Sequence, residues 1–248
     1  MNPGVIASVR AVTLDVGGTL LEPHPGVGIT YANVLRRRGW EADEALLEKR
    51  FCTAFKQQRS GRSPQVNEAS ERASWRAIVE HSISPWCPDK QLDEVFAELW
   101  ETFAKPECWR PIRRVKRDLE FLHHAGGIPL YVFSNWDSRL HQVLRAFNWE
   151  KYFRGVFIST ELGFEKPSPK AFAKVQKILG LPPQAILHVG DSLEHDYEGA
   201  RAAGWHAALA YPKPKEALRR RTLQDLDELL WHAPFGPRKT HGISPPNQ

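Results

Sequence analysis

The sequence predicts an α/β fold: a parallel, Rossmann-like sheet covered by helices, with a helical block inserted behind its first strand. Three observations predict it. Five short apolar runs have the length and β-branched or aromatic content of buried strands. Helical periodicity separates the last four, the pattern of a parallel sheet covered on both faces. After the first run, four helical segments follow one another, with no convincing strand between Leu21 and about Pro106.

The first strand, Val9–Asp15, ends in an acid and runs into "VGGTLLEP". Tyr31, Val34 and Leu35 mark a helix stopped by Gly39. Leu47, Phe51, Ala54 and Phe55 mark a second, Ala73, Ala77 and Ile78 a third, and Leu92, Val95, Phe96, Leu99 and Phe103 a fourth. Such an insertion is expected to form its own small domain over the strand ends. Val115, Leu119 and Leu122 mark the helix before Gly126-Gly127, and Pro129–Ser134 is the second strand. Leu140, Val143, Leu144 and Phe147 lead to the strand Gly155–Ser159. Ala171, Val175 and Leu179, closed by Gly180, lead to Ala185–Gly190 and then His206–Tyr211. The expected division is a core domain of residues 1–21 and 106–232 and a helical cap domain of residues 22–105. Residues 233–248, rich in proline and without periodicity, are expected to be a mobile tail.

Composition narrows the function. With 42% apolar residues, 248 residues suffice for a core domain with a smaller partner. The net charge of +5 is scattered. Its two runs, Arg36–Arg38 and Arg219–Arg221, read as solvated helix faces, so no nucleic-acid partner is expected. Cys52, Cys87 and Cys108 form neither a CxxC pair nor a zinc spacing, which fits a reduced, cytoplasmic protein. Arg10 and Asp15 interrupt the N-terminal apolar run, so neither a signal peptide nor a membrane span is expected there.

Ligands of open parallel sheets bind at the carboxyl ends of the strands. The residues following each strand are therefore the candidates. These are Asp15 with Gly17, Gly18 and Thr19; Ser134 and Asn135 with Asp137; Lys166 in "TELGFEKPSP"; and Asp191 and Asp196 in "GDSLEHD". Alone, each has a plain reading as a turn residue, helix cap or surface lysine. Together, at successive strand ends, they are expected to form a site.

These segments resemble the four motifs of the haloacid dehalogenase-like (HAD) hydrolase superfamily, subfamily I with a helical cap. "LDVGGTL" resembles the nucleophile loop, "VFSN" the second motif, "EKPSP" the third and "GDSLEHDYEGA" the fourth. "FAKPECWRPI" and "FSNWDSRL" are similar to one group within it. The resemblance implies a HAD-like fold and phosphoryl chemistry on a small-molecule phosphorylated substrate. Asp15 would attack phosphorus to form an aspartyl-phosphate. Asp15, Asp191 and the carbonyl of Gly17 would hold Mg²⁺, a hard cation that prefers oxygen. Lys166 would neutralise the developing charge. Gly18, Thr19, Ser134 and Asn135 would bind phosphate, and Asp196 would orient Lys166 or a metal-bound water. Gly17 and Gly18 are expected to let the backbone turn and approach an anion.

One departure stands out. Phosphatases of the superfamily usually carry a second Asp two residues after the nucleophile, as general acid and base. Here that position is Gly17. Such help is typically worth about 10²–10⁴-fold, so slow turnover is expected unless the leaving group is good or Glu22, His24 or His195 substitutes. Four rivals follow. A dehalogenase needs no acid there, but lacks the metal Asp found here as Asp191. Phosphonate cleavage would need a cap lysine, with Lys49 and Lys56 in the appropriate region. A binding protein could retain the Mg²⁺ and anion site without catalysis. A nucleic-acid binder is the fourth.

Overall fold

A computed structural model describes residues 8–210 apart from 113 and 126. The tail expected over 233–248, the run Arg219–Arg221 and the end of the strand expected at Tyr211 lie outside the described residues.

Seven strands form. β1 (Ala11–Leu14), β4 (Leu130–Ser134), β5 (Phe153–Ile158), β6 (Ile186–Gly190) and β7 (His206–Leu209) make one sheet in the order β5-β4-β1-β6-β7. Every pairing in it is parallel. β1 is central. The chain builds outward through β4 and β5 on one side, then returns to place β6 and β7 on the other. The strand order therefore reverses around β1, and the crevice lies where β1, β4 and β6 end. The register makes those ends level. Leu14 faces Val132 on one side and Val189 on the other, and the Asp15 amide donates to the Val189 carbonyl at 2.9 Å.

β1, β4, β6 and β7 are largely buried on both faces, which is why they read as continuous apolar runs, whereas the edge strand β5 is mostly half-buried, with Arg154 exposed. Val12, Leu14, Val132 and Val189 belong to one cluster, with Leu119, Leu140 and Leu144 from α5 (Val115–Ala125) and α6 (Arg139–Ala146). Phe133, Ile186 and Ala207 belong to a second, with Phe172 and Val175 from α8 (Pro169–Leu179) and the fully buried Trp205. A short helix, α7 (Ser159–Leu162), follows β5. Local signals set α8: Ser168 accepts from the Lys170 amide at its start, Pro169 takes the first turn, and Gly180 closes it at φ +63°.

The inserted segment forms α1 (Val27–Arg36), α2 (Glu44–Arg59), α3 (Glu68–Ile83) and α4 (Leu92–Thr102). Asp43 caps α2, and a reciprocal Asn67–Ser70 capping box opens α3. Their apolar faces make a third cluster, including Tyr31, Leu35, Leu47, Ile83, Val95 and Leu99.

The structure corrects the expectation of no strand after Leu21. β2 (Leu21–Pro23) pairs antiparallel with β3 (Trp109–Pro111) to form the two-stranded ribbon at which the insertion leaves and rejoins the sheet. Three residues are too few to show alternation, and Pro23 and Pro111 argue against a strand. A second junction is closer to the site. The Val66 amide donates to the Gly163 carbonyl at 3.2 Å, and the Glu165 amide to the Pro64 carbonyl at 2.9 Å. The loop before α3 is thereby strapped to the segment carrying Lys166.

Candidate active site

Asp15, Ser134, Lys166 and Asp191 meet at one edge of the sheet, around a cavity of about 530 Å³ beneath the inserted helices. Gly17, Gly18, Asn135 and Asp196 line it as well. Thr19 lies just behind, its hydroxyl donating to Asp191 Oδ1 at 3.2 Å.

Lys166 is the hub. Only 1% of its surface is exposed, and an ammonium so buried must be paired. Its Nζ donates to Asp15 Oδ1 at 2.9 Å, to Asp196 Oδ1 at 2.5 Å and to the Phe133 carbonyl at 2.8 Å. Burial opposes its charge, yet Asp15 and Asp196 hold its pKa above the ordinary lysine value. Asp196 answers in kind. Burial would raise its pKa, but Lys166 and His188 outweigh burial and hold it well below the carboxylate range. Its second oxygen accepts from the Ser192 amide at 2.9 Å. A π-helical turn over Leu193–Glu198 brings Asp196 back toward the strand end. The approach is so close that a Cβ on Gly190 would lie 2.2 Å from its carboxyl carbon.

Asp15 carries the opposite balance. Burial raises its pKa, and Asp196 adds to the rise; attraction by Lys166 and hydrogen bonds from Lys166 and Ser134 only partly offset it. Asp191 stands at the exposed rim, yet burial followed by repulsion from Asp15 and Asp196 pushes its pKa up to about 6. Oxygens of Asp15, Asp191 and Asp196 lie within 4.8 Å of one another. Three carboxylates this close, with one ammonium among them, form an electrostatic well for a divalent cation, and the oxygen donors suit a hard one. Since Asp196 already serves Lys166 and the Ser192 amide, Asp15 and Asp191 have the more open oxygens.

The side chain of Asn135 has a part of its own, beside the one expected of its backbone amide. Its side-chain amide donates to the Lys166 carbonyl and accepts from the Lys166 amide, both at 2.8 Å, fixing the loop that carries the lysine. The glycine pair divides its work. Gly18 lies at φ +76°, and a Cβ there would sit 2.5 Å from Asp191 Oδ2. Gly17 lies outside the left-handed region, and a Cβ there would meet only Trp136 Cζ3 at 3.7 Å. The turn therefore requires a glycine at position 18, whereas neither backbone nor packing requires one at position 17. Of the substitute acids, His195 lines the cavity, its Nδ1 2.9 Å from Ser192 Oγ. Glu22 instead pairs with Arg110 at 2.7 Å, and neither it nor His24 reaches the cavity wall. Lys49 and Lys56 are exposed and are absent from the wall too.

Two features, His188 and an arginine–glutamate network, escaped the sequence reading. His188, read only as part of an apolar strand, is fully buried between Thr13 Oγ1 at 2.8 Å and Asp196 Oδ1 at 3.0 Å. A histidine inside a central strand was the available signal. Arg62 donates to both oxygens of Glu165 and to Glu71, while Arg59 also holds Glu71. This network ties α2 and α3 to the residue beside Lys166. Tyr31, Trp75 and Trp100 line the cavity, but Trp86 packs within the helical cluster.

A family model described as a hydrolase, haloacid dehalogenase-like hydrolase, matches residues 9–204. The chain belongs to this family. The chain is 32% identical over 83% of its length to haloacid dehalogenase-like hydrolase domain-containing protein 3 of Bos taurus, covering 84% of that protein. The Homo sapiens protein of that name is 30% identical, with 81% of each chain covered. This is the group that "FAKPECWRPI" and "FSNWDSRL" resemble. Among solved structures, the fold is similar to the HAD-hydrolase YfnB of Bacillus subtilis bound to magnesium, with TM-score 0.67 and 18% identity, covering 90% of this chain and 97% of that one. It is also similar to the defluorinating L-2-haloacid dehalogenase Rha0230, with TM-score 0.69 and 19% identity, covering 97% and 89%. At such identities the likeness concerns the fold. Among the described residues, no helix is long and apolar enough to cross a membrane.

Proposed function

We propose that this hydrolase is a Mg²⁺-dependent phosphatase acting on a small phosphorylated molecule through an aspartyl-phosphate on Asp15. One observation carries the reading: Asp15 sits within a three-carboxylate cluster with the Lys166 ammonium against it. Mg²⁺, held by Asp15, Asp191 and the Gly17 carbonyl, would neutralise charge on the phosphoryl oxygens. YfnB, whose fold this chain shares, is bound to magnesium. In this scheme Lys166, together with the cation, would favour the ionised carboxylate of Asp15 and offset charge on the transferring group. Ser134, the backbone amide of Asn135 and Gly18 would hold the phosphate, with Thr19 supporting Asp191 from behind. Asp196 and, behind it, His188 keep Lys166 in place. The free cysteines accord with a cytoplasmic setting.

The carboxylate cluster disfavours dehalogenation, which has no use for Asp191. The exposed Lys49 and Lys56 disfavour phosphonate cleavage by a cap lysine. The test is turnover of acetyl phosphate with and without Mg²⁺, in wild type and Asp15→Asn. The expected result is Mg²⁺-dependent release of phosphate that the substitution abolishes. Bound Mg²⁺ and phosphate without turnover would favour a binding protein instead.

A further inference from the structure

We propose that the leaving group is a planar aromatic alcohol, making the substrate an aryl phosphate whose ring fills the apolar half of the cavity. This rests on the phosphatase reading and names its substrate class. At about 530 Å³ the cavity has room for more than a phosphate. Its charged end is the Asp15–Lys166–Asp191 cluster. The rest is largely aromatic. The Trp136 ring stands against Gly17, 3.7 Å from where a Cβ would be, and packs on Trp109 with ring centres 4.8 Å apart. Phe51 and Trp75 stack nearly parallel at 6.5 Å, and Phe55 leans on both. The arginines on the wall are paired with acids, Arg59 with Glu71 and Arg139 with Asp137 at 2.7 Å, which leaves the buried Arg59 Nε as a polar atom without a partner among the described residues.

Two requirements then coincide. A leaving group with several hydroxyls would surrender its water hydrogen bonds to an apolar wall, at a cost for each. A flat ring would gain contact with these aromatic faces. Chemically, a group that departs without a donated proton must be a stable anion. A phenol ionises with a pKa of about 10, whereas the acidity of an aliphatic alcohol is close to that of water, pKa about 15.7. In the first step a bond forms from an Asp15 carboxylate oxygen to phosphorus. The phosphorus–aryl oxygen bond breaks, its electron pair leaving with the phenolate, which takes a proton from solvent. Water then attacks phosphorus, its proton passing to solvent, and Asp15 returns as a carboxylate with release of inorganic phosphate. The place where the acid is missing is thus the place where the wall is aromatic.

The test compares 1-naphthyl phosphate with acetyl phosphate, which has a good leaving group and no ring, using the full chain and Mg²⁺. Phe55→Ala and Trp75→Ala are the variants; Phe55 is exposed, so its loss spares the fold. The expected result is that the ratio of kcat/KM for naphthyl over acetyl phosphate falls about tenfold in each variant, as lost apolar contact with the ring requires. Turnover of acetyl phosphate in the same sample reports a folded enzyme. An unchanged ratio in both variants would overturn the aryl proposal and leave the phosphatase reading standing. No turnover of acetyl phosphate by wild type would remove both.

Discussion

Substituting Gly17 with aspartate tests whether a missing proton donor sets the rate. The backbone permits it: Gly17 is outside the left-handed region, and the nearest atom to a new Cβ is Trp136 Cζ3 at ordinary contact distance, 3.7 Å. Stability should therefore change by no more than about 1 kcal/mol, most of it repulsion from Asp15 and Asp191 that Mg²⁺ relieves. The added carboxyl would stand beside the leaving group, where general acid catalysis is worth about 10²–10⁴-fold. That gain applies to alkyl esters, whose alkoxides need the proton. For acetyl or aryl phosphate it should be less than about tenfold. The assay is kcat/KM with Mg²⁺ across glucose 6-phosphate, 1-naphthyl phosphate and acetyl phosphate, after thermal unfolding confirms that Gly17→Asp is folded. Wild type should discriminate strongly against the alkyl ester, and the variant should narrow the gap. Equal wild-type rates on all three would refute the reasoning and direct attention to His195, the candidate donor on the cavity wall. A folded variant with no gain on glucose 6-phosphate would refute it too.

Three further outcomes follow from the geometry. The Asp191 pKa is raised to about 6, so its charge weakens the Mg²⁺-free fold above that pH, and the penalty fades as pH falls through 6 toward the ordinary value. Asp191→Asn should raise the Mg²⁺-free Tm at pH 7.5 by about 2–4 °C, solvent screening holding the gain to about 1 kcal/mol. It should also abolish the Tm increase caused by Mg²⁺, which in wild type should shrink below about pH 6 as protons compete for the site. Gly18→Ala should cost about 1–3 kcal/mol in urea unfolding, from its φ of +76°, and should lose Mg²⁺ binding because the methyl displaces Asp191. Arg62→Ala removes the fork from Glu165 and one partner of Glu71; it should cost about 3 kcal/mol in urea unfolding and lower kcat by loosening the Lys166 loop.

The strand ends were legible because a parallel sheet writes itself plainly. Each buried strand is an apolar run, and the first polar residues after it must lie at the ligand edge. That placed Asp15, Ser134, Lys166 and Asp191 at one edge of the sheet. Facing and partnership were not legible. Helical spacing marked Tyr31 as an apolar position, but only packing showed that it turns toward the cavity. Arg62 and Glu165 are 103 residues apart, and nothing in either neighbourhood names the other. The Gly-Gly pair announced a tight turn without saying which residue takes the positive φ. The ribbon of Leu21–Pro23 with Trp109–Pro111 was too short to show a period.

The central claim is covalent chemistry at Asp15, and trapping tests it most directly. Enzyme turning over acetyl phosphate with Mg²⁺ is quenched and treated with borohydride, which reduces an aspartyl-phosphate to homoserine, and the peptide spanning residue 15 is analysed by mass spectrometry. The account predicts homoserine at position 15, dependent on substrate and Mg²⁺ and absent from Asp15→Asn. Release of inorganic phosphate with Asp15 left unmodified throughout would contradict it.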